Sequence, residues 1–367
     1  MSYGRFYIED DVTSLYLGHK ENNIMFDGFI TVLLTALIFG ALIFIHEFGH
    51  FITARICGVG VKEFAIGMGP KIFSWKSKKY GTVYGVRALP IGGFVSMVGE
   101  DEESEEKNAF CNKSVFKRIL IIIAGPLMNL LLGFLLMALF VTSQPMASTT
   151  VAEFDDNAIS NQKLQVNDTI VVVDGTPVLT GNDVLYEIMY NGNAPIDIVV
   201  FRDGKFTVLK DVSFPTFEDS EIIFGDMDFK IKSEEKNPLT VIKHTVGRSV
   251  STVKMIIDSV VGLINGRFGL DSVSGPVGVA GEIGNAAKEG FWYVIYLVIV
   301  LSVNLGVFNL IPFPALDGGR LLFLLIEAVR KKPIRKEVES YINFAGIIIL
   351  FGFMIFIMGK DILNLFR

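Results

Sequence analysis

His46, Glu47 and His50 sit in the stretch ALIFIHEFGHFITA, Ala41 to Ala54, directly after eighteen residues without a charge, Gly28 to Ile45. That run is long enough for a transmembrane helix. An ionisable side chain at membrane depth costs about 2.5 to 3.5 kcal/mol, so something specific must offset the burial of three. On a helix, two histidines four residues apart lie on one face, one turn above the other, where both imidazoles reach a single ion. This is the HExxH arrangement: His46 and His50 as neutral ligands of Zn2+, and Glu47 as general base, taking the proton of the attacking water without ligating the metal. The competing reading is a set of polar residues satisfied by backbone carbonyls or water at a membrane exit. It suits a lone histidine better than three ionisable groups within one span.

The rest of the chain must hold that group in a bilayer. Apolar residues make up 51% of the sequence, phenylalanine alone contributes 31, and the mean hydropathy is +0.48, the profile of an integral membrane protein. The net charge of −6 leaves no general basic surface and argues against nucleic acid as a partner. Four runs are long enough to span the bilayer: Gly28 to about Thr53, Ile119 to Val141, Phe291 to Pro312 and Ile342 to Met358. The predicted fold is therefore an α-helical transmembrane bundle of about four spans. Basic residues crowd the segments after the first and third runs, as at Lys76, Lys78 and Lys79 and at Arg330, Lys331 and Lys332. By the positive-inside rule both loops are cytoplasmic, and the acidic segment Thr142 to Gly290 lies outside. The HExxH then falls at the cytoplasmic end of the first span. Cys57 and Cys111 both belong to the first basic loop and suggest neither a disulfide nor a metal site. Residues 1–24 read as a polar leader without the pattern of a signal peptide, with Met25 as an alternative start.

Residues 25–141 form the first transmembrane half. Within it, VYGVRALPIGGFVSMVG, Val83 to Gly99, has β-branched and aromatic residues on both sides of a Pro and Gly turn and reads as a β-hairpin. The residues alone leave two placements open, a soluble hairpin in the loop or one dipping into the membrane, where an edge would accept an extended peptide by β-addition. The acidic run GEDEESEEKN that follows reads as a solvated loop. Residues 142–236 hold short strand patterns, a short helix at DVLYEIMYNG and a hairpin turning at Asp203 and Gly204, together a compact α+β module. Residues 237–290 form a linker that begins with an amphipathic helix, Leu239 to Ile264. That helix suits either the outer membrane surface or packing on the module, with His244 expected at the surface. Residues 291–367 form the second transmembrane half.

A catalytic zinc site usually has three protein ligands and one open position, so one ligand remains to be found. The candidate is Asp317 in NLGVFNLIPFPALDGGR, Asn304 to Arg320, at the cytoplasmic end of the third span and so at the depth of His46 and His50. Pro312, Pro314, Gly318 and Gly319 break the helix around it, as expected where a backbone approaches a buried site. The alternative role for Asp317 is a helix N-cap just outside the membrane.

HEFGH at His46 to His50, together with NLIPFPALDGG at Asn309 to Gly319, closely resembles the site-2 protease family of intramembrane zinc metalloproteases, of the RseP and RasP type. Further matches are GMGP at Gly67 to Pro70, LPIGGFV at Leu89 to Val95, AGPLMN at Ala124 to Asn129 and SGPVGVAGEIG at Ser274 to Gly284, so the resemblance runs from about Met25 onwards. It implies that His46, His50 and Asp317 are the zinc ligands and Glu47 the general base. It further implies substrate-binding roles: Asn309 holds the substrate backbone near the scissile carbonyl, and Asn129 stands near the active-site face. The hairpin, with Gly92, Gly93, Phe94 and Val95, would re-enter the membrane and pair with the unwound substrate. The α+β module would be a PDZ-like domain outside the membrane that restricts bulky ectodomains. There is room for a single PDZ domain, where proteobacterial members carry two, and no GLGF-like carboxylate-binding loop is readable.

The activity that the resemblance implies is hydrolysis of peptide bonds within or near transmembrane segments, in the cytoplasmic membrane of a bacterium. Its substrates would be single-pass membrane proteins such as anti-sigma factors, or remnant signal peptides. Two other classes, a zinc-dependent membrane receptor without proteolysis and a transporter with an intramembrane ion site, leave Glu47 without a task.

Overall fold

The structure is a computed structural model that describes residues 24–364 apart from 101, 103, 220 and 221; the polar leader lies outside the described residues. Among these, the chain forms two compact units, one of residues 28–140 and 252–367, the other containing residues 141–251.

The first unit carries the spans. Its elements are α1 (Ile24–Ile56), β1 (Val61–Lys76), β2 (Val83–Met97) and α2 (Val115–Ser143), which enters the other unit at its last residues. Among the described residues, four helices are long and apolar enough to cross a membrane, at 28–56, 115–143, 291–310 and 336–363. Without water a backbone must satisfy its own hydrogen bonds, and an unbroken run of Leu, Ile, Val and Phe does so as a helix.

The β1–β2 pair differs from the expected hairpin. Residues 83–86 and residues 93–97 do not pair with each other; both flank the first half of β1, with Phe64 opposite Tyr84 on one side and opposite Val95 on the other. Residues 83–87 also pair with the second half of β1, as Trp75 with Tyr84. The expected turn is thus a wrap around the end of β1, a strand whose alternation is hidden in sequence by Gly67, Gly69 and interleaved lysines. The β2 segment 94–97 is bonded to β1 on one side only, so it forms an edge of this sheet among the described residues.

The second unit contains β3 (Ala147–Phe154), β4 (Thr169–Val173), β5 (Thr176–Pro177), α3 (Gly181–Asn191), β6 (Ile196–Arg202), β7 (Lys205–Val212), β8 (Thr216–Asp219), β9 (Ile222–Gly225), β10 (Phe229–Ser233) and the start of α4 (Pro238–Ile264). Its main sheet runs β10-β3-β4-β6-β7, and Val151, Ile170, Ile188, Ile198 and Val200 form a fully buried core. β6 and β7 turn at Asp203 and Gly204, both at positive φ as a tight hairpin turn requires.

His244 on α4 does not lie at the surface. It is 2% exposed and hydrogen-bonds Glu234 at 2.9 Å. Burial alone would raise the Glu234 carboxyl, but the bonds from His244 and Lys243 outweigh it and hold it below its ordinary value. That partner lies outside the helix, where the periodicity of α4 carries no trace of it.

The first unit resumes with the rest of α4, then α5 (Pro276–Glu289), α6 (Phe291–Leu310), α7 (Asp317–Arg330) and α8 (Lys336–Asn364). α6 stops at Leu310 because Ile311 precedes Pro312, which forces it into extended backbone.

Candidate metal centre and active-site cleft

His46 and His50 are both buried on α1, one turn apart, and their Nε2 atoms stand 3.2 Å from each other. Asp317 Oδ2 lies 3.0 Å from the first and 3.3 Å from the second. Asp317 comes from at least 267 residues beyond the two histidines, as the numbers 50 and 317 give, yet the three ligand atoms all lie within 4.8 Å of one another. Asp317 is the first residue of α7 and Leu316 occupies the N-cap position, so the N-cap alternative is not the arrangement found.

Close helix contact makes this convergence feasible. A Cβ on Gly49 of α1 would overlap the Ala124 carbonyl oxygen of α2. A Cβ on Gly125 of α2 would overlap His50 Nε2 and stand 2.9 Å from His46 Nε2. In a membrane, where lipid is as apolar as leucine, small residues at such contacts let backbones approach and polar groups meet. α2 also orients both rings. His50 Nδ1 donates to the Ile121 carbonyl at 2.8 Å, which leaves its Nε2 lone pair facing Asp317. Behind His46, Asn129 Nδ2 lies 3.1 Å from Nδ1. Asn129 is 0% exposed and packs beneath the ring, not on the wall of the cleft where a substrate contact would place it.

α7 is set by the residues around it. Cβ atoms on Gly318 and Gly319 would overlap the carbonyl oxygens of Ile311 and Phe313, so the glycine pair allows α7 to start directly against the preceding turn. Within that turn Ala315 takes φ 70 and donates its N–H to Asn343 of α8 at 3.2 Å. Two ion pairs then hold the helix: Arg320 with Glu100, and Arg118 of α2 with both carboxylate oxygens of Glu327. Glu100 belongs to the acidic run expected to be solvated. Instead it is half-buried, and its other oxygen accepts the Met97 N–H at 3.1 Å.

One cleft of about 470 Å³ gathers His46, Glu47, His50, Asp317, Asn309 and the edge segment Phe94 to Met97. Glu47 accepts a backbone hydrogen bond from Val95, and a Cβ on Gly93 would stand 3.4 Å from Glu47 Cγ, so a glycine brings this strand against the carboxylate. Gly92 is buried at φ 84 and shapes the bend without lining the cleft. Asn309 donates to Leu305 O at 2.9 Å and borders the cleft from the last turn of α6. Sequence reasoning did not find Gly49, Gly125, Glu100 or Arg320, although all four lie in the stretches HEFGH, AGPLMN, GEDEESEEKN and NLGVFNLIPFPALDGGR.

Two imidazoles and one carboxylate, with a cleft on their open side, form a donor set suited to Zn2+. Asp317 Oδ2 is buried and has no ordinary hydrogen-bond donor beyond the two imidazoles beside it, as expected of an atom meant for a cation.

Comparison with known proteins agrees with this chemistry. The model of Peptidase family M50 matches residues 34–353. The Regulator of sigma-W protease RasP of Bacillus subtilis is 29% identical over 92% of this chain and 99% of its own length. Zinc metalloprotease RasP of Bacillus licheniformis is 30% identical over 92% of this chain and 99% of its own. A Clostridium acetobutylicum protein that bears a zinc-metalloprotease name is 34% identical over 91% of this chain and 98% of its own.

Gly125→Ala is expected to push the imidazoles apart and lower zinc affinity about tenfold or more, the scale of an outer-shell lesion. Gly133→Ala on the same helix meets the end of the Val303 side chain at 2.7 Å, away from the imidazoles, and should keep its zinc. Metal analysis of the two purified variants decides the matter, and equal zinc content would refute the role of Gly125.

Proposed function

Because the chain belongs to Peptidase family M50, the site-2 proteases, and is a zinc metalloendopeptidase of the membrane, we propose a division of labour: His46, His50 and Asp317 hold the metal, Glu47 acts as general base, and a substrate segment lies along residues 94–97. The observation that carries this reading is the meeting, in one cleft, of three ligand atoms, a fourth ionisable group and a strand edge that no second strand pairs among the described residues.

A peptide bond in a spanning helix is protected by its own hydrogen bonds and by the lack of water. The edge of β2 answers the first obstacle by giving an unwound backbone new partners. Asn309, bordering the same cleft, is assigned to hold that backbone at the scissile carbonyl. Zinc, when bound, supplies Lewis acidity that lowers the pKa of water to about 7 and polarises a carbonyl. Glu47 takes the proton of the attacking water and returns it to the departing amine, which needs a carboxylate beside the metal ligands but not among them.

The name of the sigma-W regulator protease connects that relative with sigma-factor regulation, and we assign this chain single-pass anti-sigma factors or the remnants of signal peptides as substrates. The basic loops are assigned to the cytoplasm. The β1–β2 sheet is assigned to a re-entrant position on that side, for which the exposed Ile72, Phe73 and Trp75 speak. The module of residues 142–236 is read as a single PDZ-like domain outside the membrane that filters substrates by the size of their ectodomains.

Glu47→Gln should abolish cleavage of a reconstituted transmembrane substrate while keeping zinc near one per chain, whereas Asp317→Ala should lose both. Activity in the first variant would sink the base assignment, and full zinc in the second the ligand assignment.

Cysteines placed at Asp174, Lys78 and Phe73, in a background without Cys57 and Cys111, test the topology with an impermeant reagent. Asp174 should label in whole cells, Lys78 only after permeabilisation, and Phe73 from neither side. Labelling of Lys78 from outside would reverse the orientation, and ready labelling of Phe73 would remove the sheet from the membrane.

Replacing Thr149 to Lys232 by a short Gly/Ser bridge should raise cleavage of a substrate with a folded ectodomain and leave a trimmed one largely unaffected. Slower cleavage of the trimmed form, in a variant that retains zinc, would make the module a recruiter instead.

A further inference from the structure

A metal-ligating histidine is held from behind, by the partner of the ring nitrogen that faces away from the ion. For His50 that partner is the Ile121 carbonyl, which can only accept, so Nδ1 carries the proton and Nε2 presents its lone pair. For His46 the group at Nδ1 is the side-chain amide of Asn129, 3.1 Å away. An amide offers a donor and an acceptor on atoms of nearly equal size, exchanged by a half turn about its last bond. With Nδ2 towards the ring, Nδ1 must accept, and the imidazole proton sits on Nε2, pointing at Asp317. With Oδ1 towards the ring, Nδ1–H donates and Nε2 is free to ligate.

Asn129 can take the second arrangement without giving up a hydrogen bond elsewhere. Its Oδ1 is buried and has no hydrogen-bond partner to give up. The residue is 0% exposed, so bulk water does not compete for the amide. Its backbone is fixed separately, since Ser302 Oγ of α6 donates to Asn129 O at 2.8 Å. Gly306 supports the same contact between α6 and α2, where a Cβ would stand 3.0 Å from Pro126 O.

We propose that Asn129 is a positioning residue and not a substrate-binding one: its side-chain oxygen accepts from His46 Nδ1–H and sets the tautomer in which His46 Nε2 ligates the metal. This rests on the assignment of His46 as a zinc ligand.

The test is zinc retention against a competing chelator in the purified full-length chain, for the wild type, His46→Ala, Asn129→Leu and Asn129→Asp. Leucine has similar bulk and no acceptor, and should weaken zinc binding about 10- to 100-fold. Aspartate can only accept, and should keep zinc close to the wild-type level. With zinc in excess, Asn129→Leu should recover activity with KM unchanged. Undiminished zinc in Asn129→Leu, or equal loss in both Asn129 variants, overturns the proposal, as does a raised KM under excess zinc. Zinc held undiminished by His46→Ala would overturn the ligand assignment as well, a signature distinct from loss confined to His46→Ala.

Discussion

The contact between α1 and α2 at Gly49 and Gly125 is the constraint on which the rest of the site depends. Three ionisable groups can share a low-dielectric interior only if they neutralise one another, and mutual neutralisation needs ligand atoms a few ångströms apart. Spacing along α1 brings two imidazoles together. It cannot supply the carbonyl that orients His50, which comes from Ile121 on α2. A methyl group at either glycine would put α2 or the imidazoles out of place, so the backbone of α2 is itself part of the candidate metal site.

α7 meets the same demand by a different route. A helix beginning at Asp317 exposes its first N–H groups where a carboxylate is already favoured, and the glycine pair presses that start onto the backbone of the preceding turn. One end of α7 is tied through Arg320 to Glu100 beside β2, and the other through Glu327 to Arg118 of α2. The strand edge, the ligand-bearing helix and the helix behind the histidines are therefore linked by charged pairs. Removing one partner from a half-buried pair leaves the other uncompensated, so these links resist independent movement of the parts.

The chemistry was legible in sequence to the extent that it depended on residue type and short spacing. HExxH is a statement about one helix face, and Asp317 stood out because a carboxylate among helix-breaking residues ended a third apolar run. The spans were legible because hydropathy over twenty residues is a strong signal. What stayed hidden depends on atoms far away in the chain. The need for glycine at 125 is set by the imidazoles opposite, and the burial of Glu100 by an arginine 220 residues on, while His244 is held by Glu234 in the loop before its own helix. β1 was missed because glycines and lysines interrupt its alternation, and with β1 unseen the two halves of β2 were paired with each other.

A hydrolase in lipid has one further requirement, since its second substrate is water. A cleft lined only by aliphatic side chains would stay dry at this size. Here the lining also includes Glu100 and Arg320, together with Asn309 and Ser96. Paired charges with part of their surface open to a cleft of about 470 Å³ give water both room and partners. The ion pair that braces α7 thus also makes wettable the cleft that Glu47 lines. The same polarity would be intolerable against lipid, so a cleft of this lining has to be screened from lipid by the protein's own elements.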